Sequence, residues 1–291
     1  MGSRTETEWR ATTTTQTVAD RAAFDRSLAV VDGKLGLARD ASIPVTDEGL
    51  LRGDGAFEVI RLYAGRPFAL DEHLDRLSRS AQRLRLDYPA SGLRDDIGQL
   101  LEAAGDIDAA LRVLVTRGGH RIAIIEQLNA MPATIALTTV RYAPLDVMRG
   151  VKSLSYAANM LVRRIASEAG TDDALLVTPH DEVLEGPTSS FFCVLDGSLY
   201  TPPLTSGILD SITRRHLLQV TDASQRIIRR SDIPMFAEAF LASTAREVHP
   251  VNAIDGSQLP MPPGPRTVDA ARKLRAHIEE SLHIAPGERP N

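Results

Sequence analysis

Apolar and polar positions follow two different periods along the first half of the chain, which predicts both strands and helices. Residues 56–63 alternate with period two, as in a strand whose two faces meet different surroundings. Residues 71–84 carry apolar side chains three and four positions apart, as on one face of a helix. The Asp32-Gly33 pair lies between two apolar runs and is typical of a tight hairpin turn. These patterns predict strands over 28–31, 35–37, 56–63, 111–116 and 133–142, and helices over 71–84 and 94–104.

The second half of the chain shows the same mixture of periods after a break. Residues 143–150 contain Pro144 and Gly150 and interrupt the pattern, so we expect them to connect two domains. Beyond them the spacing predicts helices over 155–169, 210–220 and 267–282, and a strand over 240–243. The predicted fold class is therefore α/β, with a polar N-terminal extension over 1–27, a smaller α/β domain over 28–146 and a larger α/β domain over 147–291.

Bulk composition is that of a globular protein and argues against several functional classes. Hydrophobic residues make up 43% of the chain and charged residues 24%, as in soluble domains. The net charge of −5 opposes binding to nucleic acid. No apolar run has the 18 or so residues of a membrane span, and residues 1–20 lack the apolar core of a signal peptide. Cys193 is the only cysteine, so a disulfide framework and a thiolate metal site are both excluded. We expect a cytoplasmic protein without metal, membrane or nucleic-acid partners.

Lysine is rare in this chain, since only three of the 33 basic residues are lysines. Codon usage explains most of the preference for arginine, but a lysine can lose its proton and attack a carbonyl, which an arginine cannot. Lys34 follows a turn and Lys273 lies on a charged helix, so both are expected at the surface. Lys152 stands between Val151 and Leu154, where the chain enters the second domain. It is either a surface lysine at the start of a helix or a nucleophile.

Several hydroxyl-rich turns are candidate anion sites. Residues 207–214 lead into a predicted helix, whose first amides attract anions. Thr188 belongs to a Thr-Ser-Ser run shortly after Glu185, and Thr244 follows a predicted strand. Each of these segments is also compatible with an ordinary turn. Arg76 is either a solvent-exposed residue of its helix or the counter-charge of a buried anion.

Six segments, in order along the chain, resemble the motifs of the class IV aminotransferases, which have the type IV fold of pyridoxal-phosphate enzymes. They are residues 53–61, 72–77, 152–159, 184–192, 199–214 and 243–251. Each motif alone is weak, but six in the family's order form a strong joint signal over residues 28–256. The resemblance implies a two-domain α+β architecture, pyridoxal 5'-phosphate as cofactor, and a homodimer with the site at the domain boundary.

Carried over residue by residue, the resemblance implies a role for each motif position. Lys152 would hold the cofactor as a Schiff base and, once released, move the proton between substrate and cofactor. Glu185 would face the pyridine nitrogen and keep it protonated, so that the ring acts as an electron sink. The other implied cofactor-binding residues are Arg76, Ile212, Thr213 and Thr244 at the phosphate, Leu209 against the ring and Tyr156 near the 3-hydroxyl. A binding module that had lost its activity would lack Lys152 or Glu185, and both are present.

The residues that distinguish members of the family point in two directions. Val59 resembles the D-amino-acid enzymes, whereas Phe57 and Arg61 resemble the branched-chain enzymes. Arg121 follows a Thr-Arg-Gly segment, after which the D-amino-acid enzymes carry an arginine and a histidine for the substrate carboxylate. Their order is reversed here, so Arg121 is either a carboxylate ligand or a basic residue of a surface hairpin. The implied substrate-binding residues are Phe57, Val59, Arg61, Arg121, Thr188 and Ala245.

The sequence thus predicts a ping-pong aminotransferase that exchanges an amino group between an amino acid, with preference for the D-enantiomer, and a 2-oxo acid. The alternatives are a branched-chain L-amino-acid aminotransferase and an aminodeoxychorismate lyase, which eliminates pyruvate with the same cofactor and lysine. Pro187 and Ser190 depart from the family pattern, in which asparagine usually follows the serine. The local hydrogen bonds are therefore expected to differ at this turn.

Overall fold

In the computed structural model, which describes residues 27–284, the first half of the chain forms a six-stranded sheet. The hairpin predicted around Asp32-Gly33 is present, and both residues have positive φ angles of 51° and 84°. The strands are β1 (Leu28–Val31), β2 (Lys34–Leu37), β3 (Gly55–Tyr63), β4 (Arg66–Pro67), β5 (Ala109–Thr116) and β6 (Arg121–Glu126). The helices are α1 (Glu48–Arg52), α2 (Leu70–Leu84) and α3 (Ala90–Ala104), with a short 3-10 turn over Ala38–Asp40.

This sheet is antiparallel, in the order β2-β1-β6-β5-β3-β4, and the apolar sides of α2 and α3 cover one of its faces. Leu74 and Leu77 of α2 pack there against Ile60 of β3. The opposite face carries the alternate residues of β3. Because residues paired across antiparallel strands lie on the same face, Phe57 and Leu114 share this second face, and so do Val59 and Arg112.

The second half of the chain forms an eight-stranded mixed sheet. Its strands are β7 (Ile135–Arg141), β8 (Asp173–Val177), β9 (Ser190–Leu195), β10 (Ser198–Thr201), β11 (Ser224–Gln225), β12 (Glu238–Ser243), β13 (Glu247–Ile254) and β14 (Ser257–Gln258). The helices are α4 (Ala157–Glu168), α5 (Ile212–Val220) and α6 (Pro265–Leu282), with 3-10 turns over Asp146–Met148, Leu204–Ser206 and Arg230–Met235. The order is β11-β10-β9-β12-β13-β7-β8, and β14 pairs with β13.

The predicted elements are present, with small shifts at their ends. Helix α3 begins four residues earlier than the apolar spacing indicates, at Ala90 instead of Arg94. Sheet membership changes earlier than the predicted boundary at 146/147, because β7 already pairs in parallel with β8 and β13. Pro144 and Gly150 mark a loop that follows a strand of the second sheet, and they do not mark the passage between the sheets. The division into independent domains stays a prediction, and the predicted N-terminal extension lies outside the described residues except for Ser27.

The two sheets meet where the Lys152 segment runs beside the start of β3. Ala56 and Ser153 form an isolated antiparallel bridge there. Between residues 27 and 284, no helix has both the length and the apolar character that a membrane crossing requires.

Candidate active site

The backbone of Lys152 is held on both sides by the smaller sheet and its helix. The Phe57 N–H donates to the Lys152 carbonyl (3.1 Å), and the Leu154 N–H donates to the Gly55 carbonyl (2.9 Å). The Lys152 N–H donates to Ser80 Oγ on α2 (3.1 Å). Gly55 permits this close approach, because a Cβ at that position would lie 2.4 Å from the Leu154 side chain. The lysine is therefore fixed at its Cα, and only its side chain is left to move.

The Lys152 amine lies between two aromatic rings. Its Nζ is 4.3 Å from the centroid of the Phe57 ring and 5.6 Å from that of Tyr156. Burial and the positive charge of Arg76 lower the pKa of Lys152 to about 8. A larger fraction of the amine is thus unprotonated near neutral pH than for an ordinary lysine, and the amine can act as a nucleophile.

Tyr156 stands beside this amine and is held at both ends. Its ring meets the Phe57 ring edge-on, with centroids 5.1 Å apart, and its hydroxyl donates to the Pro187 carbonyl (3.2 Å). The Asn159 amide donates to the same carbonyl (2.7 Å). Burial, aided by the charge of Glu185, raises the pKa of Tyr156 to about 12, so the phenol keeps its proton. The departure from the family pattern at Pro187 therefore leaves an anchored turn.

Glu185 supplies the carboxylate of the site and is half-buried. Its Oε1 accepts a hydrogen bond from the Leu209 N–H (2.9 Å), and its carbonyl accepts one from Leu176 N–H on β8 (2.9 Å). Burial raises the pKa of Glu185 to about 7, against the opposing effects of the Leu209 hydrogen bond and the Lys152 charge. A carboxylate in this environment gains from a cationic partner, which fits a protonated pyridine nitrogen.

The start of α5 borders a small pocket, which Glu247 and several apolar side chains also line. Ile212, Thr213, Thr244, Arg61 and His73 all contribute to its lining. The first N–H groups of a helix lack partners within the helix and carry partial positive charge. Two predicted phosphate ligands from α5 and one from the turn after β12 are thus brought together, as a phosphate site requires.

Arg76 reaches the same region from α2. Its Nε and Nη2 donate to the two carboxylate oxygens of Glu58 (2.7 and 2.6 Å), and its Nη1 donates to the Asp210 carbonyl (2.8 Å), two residues before α5. Three of its five N–H groups are used within the described residues, which leaves two for a ligand. The donors present here fit a phosphate group.

The face of β3 that carries Phe57 and Val59 also carries Arg61, as the strand period predicts. Arg61 Nη1 lies 3.5 Å from the Ala245 carbonyl, at the limit of a hydrogen bond, and its Nε is buried without a partner among the described residues. A buried, unpaired donor carries a free-energy cost that an anionic ligand would remove.

Arg112 belongs to this face and was missed at the sequence level. It lies opposite Val59 on β5, with its guanidinium carbon 5.5 Å from the Phe57 centroid. Its charge contributes to the lowered pKa of Lys152 and opposes the rise in the pKa of Tyr156. The signal that could have found it is a charged residue in the middle of a largely apolar strand. Its Nε is already paired with Glu126 at 2.6 Å.

The structure argues against Arg121 as a carboxylate ligand of this site. Arg121 pairs with Val115, whose side chain belongs to the core beneath α2 and α3, so it lies on the face opposite Phe57. Its Nε is bound to the buried Asp96 of α3 at 2.9 Å. The order of residue types suggested a ligand, but the strand period turns this side chain toward the helices.

Thr188 lies in the turn that follows Glu185. The Gly186 N–H donates to the Ser189 carbonyl across this turn (2.7 Å), and Thr188 is half-buried. The hydroxyls of Ser189 and Ser190 are buried with no hydrogen-bond partner among the described residues. This turn therefore retains hydrogen-bonding capacity beside the carboxylate.

Comparisons with known proteins are consistent with this geometry. The family model for amino-transferase class IV matches residues 55–254. A Methanocaldococcus jannaschii protein assigned as a branched-chain-amino-acid aminotransferase is 33% identical over 78% of this chain and 87% of its own length. The D-alanine aminotransferase of Bacillus licheniformis is 29% identical over 85% of this chain and 95% of its own. A hypothetical aminotransferase of Mycobacterium tuberculosis, solved with pyridoxal phosphate bound, superimposes with a TM-score of 0.80 at 26% identity, covering 88% of this chain and all of that one.

Proposed function

Since this chain belongs to the class IV aminotransferases, which depend on pyridoxal phosphate, we propose that it moves an amino group from a D-amino acid to a 2-oxo acid. The two half-reactions would use one site in turn, with the amino group carried on the cofactor between them. The observation that carries this proposal is the Lys152 amine, held between Phe57 and Tyr156 with a lowered pKa.

The cofactor, when bound, supplies an aldehyde that accepts amines and a ring that takes up electron density. We assign its phosphate to the start of α5, with Ile212, Thr213 and Thr244 as ligands beside the pocket they line and Arg76 as a ligand from the turn before the helix. Glu185 would hold the proton of the ring nitrogen, because its carboxylate gains from a cation. Leu209 would pack against the ring, since its N–H already holds Glu185 in place. Tyr156 would lie near the ring hydroxyl.

Lys152 would act as the proton carrier. Its amine would accept a proton from the α-carbon of the substrate. It would then donate that proton to the cofactor. An amine with a pKa of about 8 suits both directions, because neither protonation state is strongly favoured near neutral pH. The hydrogen bonds at the Lys152 backbone hold its Cα in place, so the amine moves only by rotation of the side chain.

Arg61 is the better candidate for the α-carboxylate of the substrate. Its Nε has no partner among the described residues, and it lies beside the Ala245 turn. Arg112 is largely neutralised by Glu126, and Arg121 by Asp96. A guanidinium that has no carboxylate partner and a buried N–H without an acceptor gains the most from a substrate carboxylate. Thr188 would line the same space from the turn after Glu185.

The preference for D-amino acids is supported by Val59 and by the likeness to the Bacillus D-alanine aminotransferase. A branched-chain L-amino-acid aminotransferase is the second candidate, favoured by Phe57, Arg61 and the likeness to the Methanocaldococcus protein. Stereochemistry depends on which face of the substrate carbon meets the Lys152 amine.

We also propose a homodimer. Val45, Leu50 and Leu51 are 75%, 61% and 60% exposed around α1, and a cluster of exposed apolar side chains marks an interaction surface. Light scattering on the purified protein tests this, and Leu50→Glu is expected to shift the mass toward the monomer.

The test of the proposed reaction is a set of half-reactions followed by cofactor absorbance. Purified holoenzyme is mixed in turn with D-alanine, D-glutamate, L-leucine and aminodeoxychorismate. We expect D-amino acids to convert the cofactor to its aminated form and a 2-oxo acid to restore it. Faster conversion by L-leucine would favour the branched-chain activity. Pyruvate release from aminodeoxychorismate without lasting conversion by amino acids would overturn the transaminase proposal.

A further inference from the structure

A buried polar cluster formed by Glu58, His73 and Arg76 interrupts the apolar contact between β3 and α2. The Glu58 side chain is fully buried, with apolar Ala56 and Ile60 as its neighbours on the same face of β3. His73 and Arg76 project from α2 three residues apart, on the side that faces this strand.

The three side chains form one hydrogen-bonded unit. Arg76 binds Glu58 through two parallel N–H groups, and His73 Nδ1 lies 2.8 Å from Glu58 Oε2. Burial works against the charge on Glu58, but the hydrogen bonds and charge of Arg76 outweigh it and hold the pKa of Glu58 at about 2. An ionised carboxylate only accepts hydrogen bonds, so His73 carries its proton on Nδ1. The three side chains therefore have a single arrangement of hydrogen-bond donors and acceptors.

Stability alone does not account for such a unit in an apolar interface. Taking two charges out of water costs free energy that their attraction barely recovers, and apolar side chains of similar volume often serve as well. Leu74 and Leu77 show that the same helix packs against the strand by apolar contact. The ionic cluster therefore calls for an explanation beyond packing.

The ionic cluster fixes the orientation of the Arg76 guanidinium, and this orientation is the explanation. An unrestrained arginine side chain samples many rotamers, and it loses this conformational entropy when it binds an anion. Here the Glu58 carboxylate fixes the plane of the guanidinium, and Nη1 contacts the Asp210 carbonyl just before α5. His73 lines the same pocket as Ile212 and Thr213. The guanidinium is oriented before any ligand arrives.

We propose that Glu58 and His73 are positioning residues that orient Arg76 toward the phosphate of the cofactor. This inference rests on the phosphate site assigned above. Glu58 also offsets the charge of Arg76 at Lys152, since the two act in opposite directions on the lysine amine. Arg76 thus offers N–H donors to the phosphate. Glu58 meanwhile limits how far the Arg76 charge lowers the pKa of Lys152.

The test measures how strongly the apoprotein prefers pyridoxal phosphate to pyridoxal, which lacks the phosphate. We expect Glu58→Gln to reduce this preference by about tenfold or more, as for the loss of charge-assisted hydrogen bonds, and to change pyridoxal affinity far less. His73→Gln should reduce it by a smaller factor. In an Arg76→Gln background, Glu58→Gln should add almost nothing, because its effect passes through Arg76. Glu102→Gln, an exposed glutamate on α3, is the matched control and should change nothing.

The outcomes separate this inference from the proposed site. If the wild-type apoprotein binds both compounds equally, the phosphate site itself is wrong. If the wild type prefers the phosphate form but Glu58→Gln weakens both compounds equally or neither, the positioning role is wrong. Should Glu58→Gln fail to fold, His73→Gln, which keeps the carboxylate and guanidinium together, decides by the same criterion. A second readout is the pH at which the amine reacts with pyridoxal, which should move lower in Glu58→Gln.

Discussion

Phe57 and Lys152 are joined twice, by a backbone hydrogen bond of 3.1 Å and by the amine lying 4.3 Å from the ring centroid. The backbone contact fixes where the lysine starts, and the ring limits the water that reaches its end. Burial is the largest influence that lowers the pKa of Lys152 to about 8. The ring is therefore expected to control how much reactive amine the protein holds.

Replacing Phe57 should change the pH dependence of cofactor loading. Phe57→Ala admits water to the amine, so the pKa of Lys152 should rise toward its ordinary value of 10.5. The rate at which the apoprotein takes up pyridoxal phosphate should then fall near pH 7.5 and recover at higher pH. Phe57→Leu, which preserves most of the apolar cover, is the control. An unchanged pH profile in Phe57→Ala would show that the ring does not set this pKa.

Replacing Lys152 should abolish the covalent link to the cofactor. Lys152→Arg keeps a positive charge but has no amine that can attack a carbonyl. We expect no visible absorbance from lysine-bound cofactor and a loss of amino transfer of several orders of magnitude. Lys34 is exposed at the start of β2 and Lys273 is in an ion pair with Asp269, so Lys34→Arg and Lys273→Arg should behave as the wild type. Persistent absorbance in Lys152→Arg would place the link at another lysine.

Glu185 should make the cofactor-free protein sensitive to pH. Its pKa is raised from 4.5 to about 7, so the folded state favours the protonated form more than the unfolded state does. Stability is therefore lost as pH rises from about 4.5 to 7. Glu185→Gln lacks this loss, so its Tm without cofactor should exceed that of the wild type at pH 8 by on the order of a few degrees, and match it at pH 4. Equal Tm values at pH 8 would contradict the burial argument.

The same variant should lose activity when cofactor is bound. A glutamine cannot hold the ring nitrogen in its protonated state, so the electron sink is weakened. Turnover by Glu185→Gln should fall by at least about a hundredfold, while the absorbance of the lysine-bound cofactor remains. Near-normal turnover would remove Glu185 from the proposed mechanism.

Replacing Arg61 should affect substrate binding, whereas replacing Arg121 should affect the stability of the fold. Arg61→Ala should raise KM for both the amino acid and the 2-oxo acid by about tenfold or more, because both carry the carboxylate. Arg121→Ala should leave KM unchanged and lower the free energy of unfolding by about 3 kcal/mol, since it leaves Asp96 buried without its partner. Steady-state kinetics and denaturant unfolding measure the two effects. The reverse pattern would restore Arg121 as the carboxylate ligand.

Most of the local structure and the identity of the chemical groups could be predicted from the sequence. Periods of two and 3.6 residues arise from backbone geometry, so β3 and α2 were predicted to within one residue. The six ordered motifs together named the cofactor, and family membership confirms pyridoxal phosphate. These features depend on neighbours in the chain, which a sequence displays directly.

Contacts between distant segments could not be predicted in the same way. Arg121 lies on the face of the sheet that its pairing with Val115 sets. Strand β7 belongs to the second sheet because it pairs with β13, more than a hundred residues later in the chain. Glu58 appeared in the sequence only as a residue of a strand, yet its carboxylate joins two residues of α2 in the buried cluster.

What the sequence by itself determined was the family and its cofactor, because six ordered motifs carry both, and it nominated the Lys152 amine as the reactive group. What only the tertiary structure decided was the environment of that amine. The aromatic rings, the oriented Arg76 and the carboxylates come from four separate segments, and their influence on a proton depends on distance and desolvation. Those quantities exist only once the chain is folded.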